Sequence, residues 1–123
     1  NKTFTSNGEI VQRIMAIPTS GESTFTDILN FGAADAAGQV DISNYTYFRI
    51  TNLDDTNFLT LRVKSTADSF FYKIKAGESL LLMDNEMDAV ESSVTFGAFT
   101  DITNIAALAD TDGVDVELMC VTV

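Results

Sequence analysis

Apolar and polar residues alternate along most of this chain, and turn-forming residues separate the alternating runs. Because successive side chains of a β-strand point to opposite faces, this period of two is typical of strands with one buried face. The clearest run covers residues 57–64, where Leu59, Leu61 and Val63 alternate with polar residues. The pattern therefore predicts an all-β protein.

A second alternating run covers residues 69–75, and the four residues 65–68 that separate it from the first are a common hairpin loop length. If the loop closes symmetrically, the two runs pair as neighbouring antiparallel strands with their apolar faces matched. The predicted pairs on the buried face are Leu59–Ile74, Leu61–Tyr72 and Val63–Phe70.

Other runs bounded by turn residues predict further strands at 10–17, 24–29, 45–53, 79–83, 102–109 and 114–123. The run 102–109 also fits helical spacing, but its place before a turn and a strongly apolar strand favours a strand. Residues 32–38 are expected to form a loop or one short helical turn.

About seven to nine short antiparallel strands without a long helix predict a single-domain, jelly-roll-like β-sandwich over residues 1–123. Residues 1–44 carry the weakest pattern and are expected to supply N-terminal strands and a loop. The length of 123 residues is sufficient for one hydrophobic core.

Charge is unevenly distributed along the chain. The formal net charge is −11, from 7 basic and 18 acidic residues. Residues 45–75 hold most of the basic residues, and residues 76–123 hold none. An acidic surface repels phosphate backbones and anionic lipids, so neither nucleic acid nor membrane is an expected partner.

The composition argues against catalysis and metal binding. The chain has no histidine and a single cysteine, which removes the usual zinc ligands and the histidine-dependent nucleophiles. Two acid-rich turns, 84–88 and 110–115, hold oxygen atoms that calcium accepts, but neither has EF-hand spacing. Asp and Gly are also the residues that tight turns require. We therefore expect no enzyme activity, no metal and no cofactor.

One strand carries a candidate ligand-binding face. Tyr45, Tyr47 and Arg49 alternate along it and are able to stack on a sugar ring and donate hydrogen bonds to it. The chain has no tryptophan, the residue most suited to such a platform. A glycan-binding module is therefore kept as an alternative function.

Two predicted strands are apolar on both faces, at 80–83 and 118–121. A second buried surface is needed there, supplied by a covering loop or by another subunit. Alternation makes Met119 and Val121 the outward pair if Cys120 is inward. The predicted interface residues are Leu80, Leu82, Met119 and Val121, together with a basic patch of Arg62, Lys64, Lys73 and Lys75.

Several segments resemble small β-sandwich virion proteins of tailed bacteriophages. They are YFRITNLDDTNF at 47–58, KAGESLLL at 75–82, ITNI at 102–105, ADT at 109–111 and VDVE at 114–117. The resemblance covers about the last two-thirds of the chain. It consists of turn and strand patterns, and it carries over no catalytic residue.

The resemblance implies a non-enzymatic capsid decoration or cement protein on the outer surface of the virion, synthesised in the host cytoplasm. The implied partners are the major capsid protein and further copies of this chain, with a trimer as one option. A head-to-tail, tail or fibre component is the alternative within the same class of proteins.

Overall fold

The computed structural model describes residues 10–19, 25–32, 39–89 and 99–122. These residues form ten strands and one short 3-10 helix, Ile42–Asn44. The strands are β1 (Ile10–Ile17), β2 (Thr26–Gly32), β3 (Val40–Asp41), β4 (Tyr45–Asn52), β5 (Leu59–Ser65), β6 (Ser69–Ile74), β7 (Ser79–Leu82), β8 (Glu86–Met87), β9 (Thr100–Ala109) and β10 (Val114–Thr122).

The strands form two packed sheets. The first sheet has the order β1-β10-β4-β7, and the second has the order β3-β2-β9-β5-β6, with β8 paired to β9. All pairs are antiparallel except β2 with β3. Without the two-residue strands β3 and β8, each sheet has four strands. Among these eight strands, β5 and β6 are consecutive in the chain and lie in the same sheet, whereas every other connection crosses from one sheet to the other. This crossing pattern is that of a jelly roll, so the predicted fold class is confirmed.

The predicted hairpin is confirmed in every pair. Leu59 pairs with Ile74, Leu61 with Tyr72 and Val63 with Phe70. The three β5 residues are fully buried, and Ile74 is almost so. Tyr72 was predicted to be buried but is 50% exposed. The reason is that β6 is the last strand of its sheet, where a side chain on the inner face still reaches solvent.

The ambiguous segment before the last turn is a strand, β9, as predicted. It is central in the second sheet, between β2 and β5. Strand β2 extends further than the predicted 24–29, to Gly32, and residues 33–38 of the predicted loop lie outside the described residues. The 3-10 helix was not predicted. Asp41 caps it by accepting a hydrogen bond from the Ser43 backbone N–H at 3.0 Å.

The core lies between the two sheets. β10 contributes alternating buried residues Val114, Val116, Leu118 and Cys120, as its pattern predicts. The chain has a single cysteine, so no disulfide forms within it. Burial of these apolar side chains is therefore the main stabilising contribution.

Candidate functional site

The outer face of the first sheet carries exposed apolar residues. Ile10 and Ile14 on β1 are 58% and 66% exposed, and Leu81 on β7 is 53% exposed. Between them, Met119 lies on β10 and Tyr47 on β4, both half-buried. We call these five residues the apolar face.

The structure corrects the prediction for β7. Leu80 pairs with Ile50 and Leu82 with Phe48, and both of these β4 residues are fully buried. Leu80 and Leu82 therefore point inward and pack against the core. The exposed residue of the strand is Leu81, which pairs with Arg49 on the outer face. Residues 80–83 are all apolar, so they show no alternation that would indicate which of them face outward.

The prediction for β10 is half correct. Met119 lies on the outer face, where the Tyr47 hydroxyl donates a hydrogen bond to its sulfur at 3.0 Å. Val121 also lies on the outer face, as predicted, but it is only 2% exposed, so the prediction that it is an interface residue is wrong. β10 is a central strand, and Val121 lies between Ile10 and Tyr47 on the neighbouring strands, whose larger side chains flank it.

One ion pair lies within the apolar face. Arg49 Nη2 is 3.5 Å from Glu117 Oε1, and the side chains are 42% and 35% exposed. At this exposure solvent screens the pair, so it contributes little to the stability of the fold. The two opposite charges neutralise each other on this face, which also carries the polar Gln12 opposite Met119.

Tyr45 does not share a face with Tyr47 and Arg49. Tyr47 pairs with Val121 and Tyr45 with Thr122, so the register shifts by one residue between them. The Tyr45 ring packs edge-on against Phe31 at 5.7 Å, and its hydroxyl donates a hydrogen bond to the Leu82 carbonyl at 2.6 Å. Burial raises the pKa of Tyr45 well above its ordinary value. The predicted three-residue ligand face is therefore wrong for Tyr45.

The predicted basic patch lies on the second sheet. Arg62 and Lys64 are two residues apart on β5 and face the same side. Lys73 lies on β6, where it pairs with Thr60 of β5, and Lys75 follows the end of β6. The three lysines are exposed. Arg62 is half-buried and packs over the ring of Phe25, with 5.0 Å between its guanidinium carbon and the ring centroid. The patch is therefore on the opposite side of the sandwich from the apolar face.

A buried asparagine joins two of the segments on which the phage resemblance rests. Asn52 is fully buried, and its side-chain amide donates to the carbonyls of Asn57 at 2.9 Å and Ile74 at 3.1 Å. Its backbone donates to the Glu78 carbonyl and accepts from the Gly77 N–H, at 2.9 and 3.0 Å. The turn motif at 47–58 is thus bonded directly to the turn motif at 75–82. In the sequence, Asn52 stands near the end of the predicted strand 45–53, where asparagine and aspartate residues indicate a turn, but nothing there indicates these contacts.

The β6–β7 turn depends on a glycine. The Glu78 N–H donates to the Lys75 carbonyl at 3.0 Å, and Gly77 has φ +79°. A positive φ at the third position defines a type II turn, in which glycine is preferred. This geometry brings the Gly77 N–H to the Asn52 carbonyl.

The acid-rich turns 84–88 and 110–115 are held by hydrogen bonds within the chain. Among the described residues, no group of three or more acidic or cysteine side chains is arranged to hold a metal ion. In the first turn, Asp84 accepts a hydrogen bond from the Glu86 backbone N–H at 3.0 Å. In the second, the Thr111 hydroxyl donates to the Asn57 side chain at 2.8 Å. Turn geometry accounts for these contacts.

Comparison with protein-family models gives no match to this sequence, and comparison with curated proteins gives none either. In the described parts of the chain, no helix has the length and apolar character needed to cross a membrane.

Proposed function

We propose that this chain is a non-enzymatic structural protein of a tailed-phage virion, of the capsid decoration or cement type. Two kinds of observation support the proposal. The turn and strand segments at 47–58 and 75–82 resemble those of such proteins, and the jelly roll is a fold that viral capsid domains use. The observation that carries the adhesive role is the apolar face.

When a partner covers exposed isoleucine and leucine side chains, their removal from water makes association favourable. Ile14 and Leu81 lie on the two edge strands of the first sheet, β1 and β7. A partner that contacts both must cover the whole sheet between them. A lattice of identical shell subunits would supply many such contacts, and repetition holds particles together even when each contact is weak.

The test is co-sedimentation of the purified protein with capsids that lack it. We expect Leu81→Lys combined with Ile14→Lys to abolish binding, because a partner that covers the face would have to remove the hydration of two added ammonium groups. Phe99→Lys is the matched control, since Phe99 is 60% exposed but belongs to no strand of the first sheet. Circular dichroism must show that all variants remain folded.

The proposal would be contradicted if the wild type did not sediment with capsids, or if the double variant bound capsids as well as the wild type. Binding to isolated tails, with no binding to capsids, would assign the protein to the tail instead.

A further inference from the structure

The outer face of the second sheet combines cations with aromatic rings. Phe71 is 61% exposed, and its ring lies 5.6 Å from that of Phe25, over which Arg62 packs. At the other end of the hairpin, the Lys73 ammonium lies 4.3 Å from the ring centroid of Phe58. We call Arg62, Lys64, Phe71 and Lys73 the cationic face. Arginine and aromatic residues are the types enriched at the centres of protein interfaces.

The cations of this face have no carboxylate partner within the described chain. Among the described residues, one ion pair occurs, and it lies on the other sheet between Arg49 and Glu117. Arg62 instead donates to the Asn104 side chain at 3.1 Å, and its Nε atom is buried without a hydrogen-bond partner. Lys64 and Lys73 are exposed, so their positive charges are accessible to an outside anion, whereas the half-buried Arg62 is held by Phe25 and Asn104.

The complementary surface occurs at one end of the sandwich, on the β4–β5 and β9–β10 turns. The two turns are bonded together, because the Leu53 N–H donates to the Asp115 carbonyl at 2.9 Å and the Asp110 N–H to the Phe58 carbonyl at 3.2 Å. We call the carboxylates that these turns present the acidic end. They are Asp54, Asp55, Asp110 and Asp112.

We propose that the cationic face binds the acidic end of a second copy of this chain. The exposed Phe71 ring would be covered at the centre of the contact, and Lys64 and Lys73 would face carboxylates at its rim. Because the two surfaces differ, the contact is heterologous, and it builds a ring if the rotation closes and an open chain if it does not.

Sedimentation velocity at submillimolar protein concentration tests this proposal. In about 0.05 M salt we expect oligomers of the wild type, which dissociate towards the monomer in about 1 M salt, where charges are screened beyond roughly 3 Å. Lys64→Gln combined with Lys73→Gln should weaken association by about tenfold. Asp110→Asn combined with Asp112→Asn should do the same, because none of these side chains supports the fold through a described hydrogen bond.

Two control variants test the role of position. Arg49→Gln removes a cation from the other sheet, and Glu86→Gln removes an exposed carboxylate away from the β4–β5 and β9–β10 turns. Neither should change association.

Mixing the two double variants distinguishes a heterologous contact from a symmetric one. The lysine double variant keeps an intact acidic end, and the aspartate double variant keeps an intact cationic face. In the mixture these two surfaces bind each other, and neither variant has a second intact surface with which to extend the oligomer. We therefore expect a one-to-one mixture to form dimers and nothing larger. A monomeric wild type in low salt, or a mixture that stays monomeric, would overturn the proposal. Capsid binding through the apolar face is measured separately and fails or succeeds independently, because it uses the other sheet.

Discussion

At the scale of single residues, the polar side chains that contribute most to the stability of the fold are the buried ones whose hydrogen bonds are all made within the chain. Asn52 is fully buried, yet both of its side-chain functions are occupied, since its Oδ1 also accepts from the Asp54 N–H at 2.9 Å. The sequence predicts a turn at this position from composition. It gives no sign that the turn reaches across to β6 and β7, because those contacts depend on how the sheets cross.

We expect Asn52→Ala to destabilise the protein by about 3 kcal/mol, because it leaves two backbone carbonyls without their donor in a buried site. Urea unfolding followed by circular dichroism measures the change. Asn44→Ala is the control, since Asn44 is exposed and bonds only Asp41 in the described structure. Its cost should stay below about 1 kcal/mol. Equal costs for the two variants would contradict the role given to Asn52.

Asp54 predicts a pH dependence of stability. Its carboxylate accepts hydrogen bonds from the backbone N–H groups of Asn57 and Thr56, which lower the pKa of Asp54 below its ordinary value of 3.8. The folded state therefore favours the charged form, so this stabilisation is present above the unfolded pKa and is lost as the pH falls through the folded pKa. We expect wild type to be more stable than Asp54→Asn at pH 7, with the difference shrinking below about pH 4. A difference that does not change with pH would contradict this cause.

At the scale of elements, alternation predicted which residues pair but not always which side is covered. The β5–β6 register follows from the sequence because both strands alternate and a short loop joins them. The exposure of Tyr72 was not predicted, because it depends on β6 being the edge strand of its sheet, and that follows from the topology and not from the local sequence. Leu80 and Leu82 were wrongly predicted to face outward because three successive leucines show no alternation. Only Ser79, which begins β7 and shares the face of Leu81, marks the outer side.

The two positions of one cross-strand pair therefore should respond differently to the same change. Leu61→Asp places an unpaired carboxylate in the core and is expected to unfold the domain. Tyr72→Asp, on the partner residue, should cost about 1 kcal/mol, since Tyr72 is half exposed and solvent hydrates the new charge. Thermal unfolding by circular dichroism decides between them. A folded Leu61→Asp protein would contradict the packing of β5.

At the scale of the whole molecule, the two outer faces of the sandwich differ in chemistry. The first sheet presents isoleucine, leucine and methionine, and the second presents lysine, arginine and phenylalanine. The sequence predicted Met119 and the basic residues, but it chose Leu80, Leu82 and Val121 where Leu81 is exposed. It did not predict the exposed Ile10, Ile14 and Phe71. It did not predict that the sets lie on opposite sides, because that separation depends on which strands enter which sheet.

Whether calcium stabilises the fold is also a question about the whole molecule. A net charge of −11 attracts any cation, so added calcium will raise stability slightly by screening repulsion among carboxylates. Sodium at matched ionic strength is therefore the proper reference. Relative to it, we expect calcium to shift the Tm by less than about 2 °C, corresponding to roughly half a kcal/mol or less. A chelator should leave the Tm unchanged, because the described contacts of the turns 84–88 and 110–115 are hydrogen bonds within the chain. A larger shift that is specific to calcium and disappears in Asp112→Asn would instead assign a binding site to the second turn.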